Sequence, residues 1–158
     1  LRMAATVVTR DPVFGWFAYG GDQQERESIL EISPRDGLRR RFDLIIPDPR
    51  RPLPEDLVRF KLELDRDGFV AGEPIVVDKA VDKISFFIEN RTADAHQTTL
   101  RLSYPASARY ELFQDGRPRP LVQTASWDYP WRAELEMSGR GSRIELNRAG
   151  RREGAPDK

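Results

Sequence analysis

The chain has 158 residues, with 26 Lys+Arg against 26 Asp+Glu, a single His and no Cys. That length suits one domain with a substantial core, while the missing cysteine removes disulfides, a thiolate nucleophile and sulfur-ligated zinc. The balanced charge gives no electrostatic case for nucleic acid or anionic lipid, and no apolar run approaches the roughly 18–20 residues that cross a bilayer.

In chain order, the first distinctive segment is Val13-Phe14-Gly15-Trp16-Phe17-Ala18-Tyr19-Gly20-Gly21. Phe14, Trp16 and Ala18 fall on one side of an extended strand and Val13, Phe17 and Tyr19 on the other, so burial is expected on both. An isolated sheet sandwich buries only one side. The other is expected to meet a neighbouring domain, a sugar-binding surface or an oligomer partner, with Trp16 and Tyr19 as contact candidates. Leu38, Arg40, Phe42, Leu44 and Ile46 then share a face, with Arg40 placed at a strand end. Pro47–Pro54 holds four prolines in eight residues and reads as a crossing loop, because proline cannot donate to a central ladder.

Strict alternation follows. Val58, Phe60, Leu62 and Leu64 share one face, then Ile84, Phe86 and Ile88, then Thr98, Leu100, Leu102 and Tyr104. Ala133, Leu135 and Met137 alternate with Glu134 and Glu136, and Ile144 and Leu146 close the pattern. Each run suits a strand with one buried and one wet face. Asp36-Gly37, Asp67-Gly68 and Asp115-Gly116 supply the positive φ of tight hairpins, and Ser138-Gly139-Arg140-Gly141 reads as another hairpin. The fold class is all-β, an immunoglobulin-like antiparallel β-sandwich of about ten to twelve short strands. One domain is expected over 1–147, with N-terminal strands in 4–46, a crossing loop at 47–54 and main sandwich strands in 57–147. A polar, disordered tail is expected over 148–158.

Lysine stands only at Lys61, Lys79, Lys83 and Lys158, and the other 22 basic residues are arginine. The bias reads as GC-rich bacterial coding, with the guanidinium groups on solvated strand faces. No basic stretch followed by an apolar run reads as a secretory leader, and the compartment stays open.

Candidate chemistry is sparse. His96 is the sole histidine and reads as a surface or half-buried loop residue; no Gly-x-Ser-x-Gly elbow accompanies Ser103, Ser107 or Ser126. Glu31, Glu63, Glu89, Glu134 and Glu136 alternate with apolar neighbours and read as a wet sheet face, not a glycosidase pair. Asp65-Arg66-Asp67-Gly68 reads as a turn, since the further ligands of a calcium loop are missing. Asn90-Arg91-Thr92 is formally a sequon and reads as a loop. No catalytic residue, metal ligand set or cofactor is assigned, and the chain by itself is not expected to be an enzyme. Trp127-Asp128-Tyr129-Pro130-Trp131 reads as a loop whose Trp127, Tyr129 and Trp131 can stack on sugar rings or anchor an interface.

Two resemblances arise from these segments. Val13–Gly21, Pro34-Arg35-Asp36-Gly37-Leu38-Arg39-Arg40-Arg41-Phe42 and Leu62-Glu63-Leu64-Asp65-Arg66-Asp67-Gly68-Phe69 together resemble a β-sandwich module of large bacterial carbohydrate-active enzymes. In those enzymes a catalytic α/α-toroid carries such sandwiches at its ends. The resemblance implies an accessory or terminal domain whose partner is a neighbouring catalytic domain, with glycan as a further contact, and it carries no catalytic residue across.

The second resemblance covers Ile84–Trp131. Phe86-Phe87-Ile88-Glu89-Asn90-Arg91-Thr92, Thr99-Leu100-Arg101-Leu102-Ser103-Tyr104 and Arg109-Tyr110-Glu111-Leu112-Phe113 are similar to the bacterial intracellular proteinase inhibitor family, also an immunoglobulin-like sandwich. The valine-tryptophan-arginine-tryptophan-type strand of that family is not reproduced by Leu121–Trp127. The alternative it implies is a stand-alone protein-binding or inhibitor domain. The expected function is thus a noncatalytic β-sandwich module of a bacterial polysaccharide-degrading protein.

Overall fold

The computed structural model describes residues 5–11, 13–47, 57–105, 108–139 and 141–149. These residues form fifteen strands and no helix, arranged as two sheets packed face to face. The N-terminal third supplies β1 (Ala5–Asp11), β2 (Gly15–Tyr19), β3 (Gly21–Glu25), β4 (Ile29–Pro34) and β5 (Arg41–Pro47). The middle supplies β6 (Leu57–Leu64), β7 (Gly68–Phe69), β8 (Ile75–Asp78), β9 (Lys83–Glu89) and β10 (His96–Ser103). The remainder is β11 (Arg109–Gln114), β12 (Arg117–Arg119), β13 (Val122–Gln123), β14 (Trp131–Met137) and β15 (Ser142–Ala149).

Sheet A runs β13-β14-β10-β6-β5-β1-β2 and sheet B runs β12-β11-β15-β9-β8-β4-β3, with β7 paired to β9. The N-terminal strands are shared between the sheets. All pairings are antiparallel except β1 with β5, which is parallel. The strand number exceeds the ten to twelve expected because β7, β12 and β13 are only two or three residues long, too short to show an alternating pattern.

Period-2 burial builds the core. Ile84, Phe86 and Ile88 of β9 and Tyr110 and Leu112 of β11 point inward from sheet B, where they meet Phe42, Phe60 and Leu62 and, from β14, Ala133, Leu135 and Met137 of sheet A. Phe60, Tyr104, Tyr110 and Trp131 form an aromatic chain at one end. Their ring centroids are 5.3 Å apart for Phe60–Tyr110, 4.8 Å for Tyr104–Tyr110 and 5.7 Å for Tyr104–Trp131.

Several expected turns change role. Only Asp115-Gly116, both with positive φ, joins paired neighbours, β11 and β12. Asp36-Gly37 leads from β4 in sheet B to β5 in sheet A, Asp67-Gly68 leads from β6 to β7 across the sandwich, and the segment from Ser138 leads from β14 to β15 across it again. The turn residues set a local bend, but the sheet that receives the next strand is chosen by core packing. Leu38 and Arg40 precede β5, so Leu38 stays outside the core, half exposed.

Pro47 ends β5, paired with Leu57, rather than opening the crossing loop; the rest of that loop, 48–54, lies outside the described residues. β15 carries Arg148 and Ala149 into sheet B against β11, which moves the start of the expected tail. From Gly150 onward the tail lies outside the described residues. No described helix is long and apolar enough to cross a membrane.

Candidate functional site

The five aromatic contact candidates go to four different places. Trp16 sits on the inner face of β2 and is 7% exposed, so its ring belongs to the core and is not offered to a ligand. On the same hairpin Val13 is 80%, Phe14 77%, Phe17 41% and Tyr19 63% exposed. Burial on both sides was the expectation for this segment; here only Trp16 and the partly covered Ala18 pack inward. The turn itself is firm, because Asp11 Oδ1 accepts the Val13 and Phe14 backbone N–H groups, bonds that hold the Asp11 carboxyl below its ordinary range.

Trp127, Tyr129 and Trp131 separate over five residues. Trp127, at the tip of the β13–β14 connection, is 89% exposed. That connection is braced internally. Thr124 Oγ1 donates to the Tyr129 carbonyl at 2.8 Å, the Thr124 N–H to the Pro130 carbonyl at 2.8 Å, and the Tyr129 N–H to Ser126 Oγ at 3.2 Å.

Tyr129 folds back over the outer face of sheet A, with Lys61 Nζ 4.6 Å from its ring centroid and 3.5 Å from Asp128 Oδ1. Burial, with Glu63 next in effect, pushes the Tyr129 phenol up to about 12. Beside it Asp43 is buried and bonded by Arg41, Nη2 to Oδ2 at 2.9 Å. A carboxylate on a face expected to be wet is thus roofed by tyrosine and neutralised by arginine.

Trp131 is the first residue of β14, not part of a loop. It is half-buried and stacks on Tyr104 at an interplanar angle of 10°. The two rings line a cleft of about 740 Å³ with Tyr110, Leu112, Pro118 and Leu121. The cleft lies where β12 leaves β11 after Leu112↔Arg119, so among the described residues no strand lies beside the Arg109–Glu111 stretch of β11 on that side. Strand alternation and aromatic spacing give no signal for this cleft, because Tyr104 and Trp131 are far apart in sequence and meet only through β10–β14 pairing. Burial raises the Tyr104 phenol, opposed by the Arg109 guanidinium and the Tyr110 backbone N–H.

His96, expected on a surface or in a loop, opens β10 and is clasped. Its Nε2 lies 2.8 Å from Asp67 Oδ2, and its Nδ1 lies 3.0 Å from the Asp94 carbonyl and 3.2 Å from Thr92 Oγ1. Asp67 is buried, and its Oδ1 accepts the Arg91 N–H at 3.0 Å. A carbonyl and an ionised carboxylate both only accept, so the doubly protonated ring satisfies this geometry. The Asp94 carbonyl first, then Asp67, raise the His96 pKa. Ser107 lies outside the described residues, and among the described residues no serine bonds the ring: the arrangement is a charged tie between the β6–β7 and β9–β10 connections.

The acidic residues on outer faces have structural partners. Glu31 pairs with Arg26, Glu89 with Arg91, and Glu134 and Glu136 accept from Thr99 and Gln97. Among the described residues no group of three or more His, Asp or Glu is placed to hold a metal ion. The Asn90 side-chain amide donates to the Asp94 and Ser138 carbonyls, so the sequon asparagine is engaged in its loop.

No protein-family model matches the chain, and neither a curated protein nor a solved structure matches it.

Proposed function

We propose that the chain is a noncatalytic β-sandwich module of a bacterial polysaccharide-degrading protein, which packs on a neighbouring catalytic domain and contacts glycan. One observation carries this reading: of the eight large apolar side chains exposed among the described residues, four, Val13, Phe14, Phe17 and Tyr19, cluster at one hairpin. A concentrated apolar patch on a polar sandwich suits a surface that another protein covers. The hairpin is held in shape by Asp11 before any partner arrives, which lowers the ordering cost of docking.

Hydrogen exchange compared between this chain alone and the full-length gene product tests the reading. Slower exchange over 13–19 in the full-length protein supports it. Equal exchange, or a gene product without a further domain, refutes it.

The alternative, a stand-alone protein-binding or proteinase-inhibitor-like domain, draws support from the braced β13–β14 connection that holds Trp127 out in solvent. A rigid loop presenting one aromatic side chain is a form suited to anchoring in a partner's pocket. Inhibition of a panel of serine proteinases, lost on Trp127→Ala, would favour this alternative.

A further inference from the structure

The cleft at the Tyr104–Trp131 end joins three properties that a ligand site needs. Its volume of about 740 Å³ falls within the roughly 300–1,000 Å³ typical of small-molecule sites. Its wall is a pre-stacked aromatic pair, Tyr104 on Trp131, and its rim carries Pro118 and Pro120, residues with little conformational freedom to lose. Its charged residues are Arg109 and Arg119 against the single carboxylate of Glu111.

Several other arginines of the sandwich are already drawn into ion pairs. Arg26, Arg35, Arg41, Arg91, Arg101 and Arg143 each lie beside a carboxylate. Neither Arg109 nor Arg119 has an ion-pair partner among the described residues. Arg119 is oriented by its Nε bond to Gln114 Oε1 at 3.0 Å, which uses one donor of the fork. Arg109 lies close enough to Tyr104 to act on its phenol.

We propose that this cleft binds an acidic saccharide, with a pyranose face against the Trp131–Tyr104 wall and its uronate carboxylate at Arg109, Arg119 adding positive charge farther along the cleft. Apolar ring faces suit aromatic walls, and guanidinium forks match carboxylate geometry. The excess of cationic groups distinguishes an acidic glycan from a neutral one. A peptide strand adding to β11 is the competing occupant, and a peptide is titrated beside the sugars to exclude it. The proposal rests on the glycan half of the function given above and is independent of the packing half.

The test uses the chain itself, in a Trp127→Phe background, so that fluorescence reports Trp16 and Trp131 alone. Oligogalacturonate, oligomannuronate, a neutral cello-oligosaccharide and a proline-rich peptide are titrated in turn, at low and high salt. A uronate oligomer is expected to perturb the fluorescence and bind more tightly than the neutral sugar, weakening with salt. Arg109→Gln, at an exposed position, is expected to weaken uronate binding about tenfold without moving the urea midpoint.

Equal affinity for neutral and acidic sugars, or tight binding of the proline-rich peptide with none of the sugars, overturns the proposal. So does an unaltered affinity in Arg109→Gln, or no binding by any uronate. None of these results touches the hydrogen-exchange test of domain packing, so the two readings fail separately.

Discussion

Gln114 sits inside the sandwich on β11 of sheet B, 3% exposed, yet its carboxamide serves sheet A. Its Nε2 donates to the Glu136 carbonyl at 2.6 Å and to Ser142 Oγ at 3.1 Å, and its Oε1 accepts the Glu136 N–H at 3.2 Å. β13 pairs with β14 only at Trp131 and Arg132, so at Glu136 the amide replaces a missing neighbouring strand. Gln114→Leu keeps side-chain volume nearly constant and leaves two main-chain groups without partners. Each such group costs about 1–3 kcal/mol when buried. The edge position lets water reach them, and leucine gains some apolar burial, so the net loss is about 2 kcal/mol.

For a domain of this size that loss lowers Tm by roughly 4–8 °C. In urea the midpoint should fall with the slope unchanged. Gln114→Glu retains the acceptor for the Glu136 N–H but sets a carboxylate against the Glu136 carbonyl. It keeps the bond from Arg119 Nε as well, so at neutral pH it should be less stable than the parent but no less stable than the leucine variant. A leucine variant melting within about 1 °C of the parent refutes the reasoning, since two buried orphaned groups cannot be that cheap.

The His96–Asp67 tie predicts a definite pH sense. A histidine pKa raised on folding contributes stability that is complete below its unfolded value and disappears as pH rises through its folded value. The gap in urea midpoint between the parent and His96→Ala should therefore be widest in mild acid and close on the alkaline side, and the NMR midpoint of the ring should lie above 6.5; a midpoint at or below that value contradicts the clasp.

Tyr110 and Tyr129 are both pushed up to about 12, chiefly by burial. Unfolded tyrosine ionises near 10, so these two groups should erode stability above that pH, and Tyr129→Phe should remove one late component from the 295 nm titration. At Gly68 an added Cβ would lie 2.3 Å from Arg91 Nη2 and 2.6 Å from the Arg39 carbonyl oxygen. The guanidinium can swing away but the backbone cannot, so Gly68→Ala should cost about 1–3 kcal/mol in chemical denaturation; an unchanged midpoint would show that the approach is not tight.

Alternation was readable wherever a strand had one wet and one dry face, which is why β6, β9, β10, β14 and β15 are visible in the residue pattern. What escaped it depends on tertiary pairing. Asp36-Gly37 and Asp67-Gly68 carry the chemistry of a hairpin, yet each hands the chain to the opposite sheet. Nothing local in Asp-Gly encodes that choice; it follows from which core face the next apolar residues can reach. Asp43 is likewise invisible as a buried carboxylate: its counter-charge, Arg41, stands two residues away on the same strand, but Tyr129 is brought beside it only by the returning β13–β14 connection. The aromatic candidates were recognisable as residues, but their division among core, wall, roof and open solvent was set by β14 starting at Trp131.

The outermost strands are short and interrupted. β2 spans five residues, and its Trp16 carbonyl already accepts the Gln23 side-chain amide; β3 continues from it around Gly20 into the other sheet. On the opposite flank β12 contains Pro118 and β13 is two residues long. Such margins make poor templates for an incoming strand. Copies of this protein should therefore resist joining edge to edge into fibres, even at high concentration. Side chains presented on loops and faces, more than these margins, are then what the molecule offers for recognition.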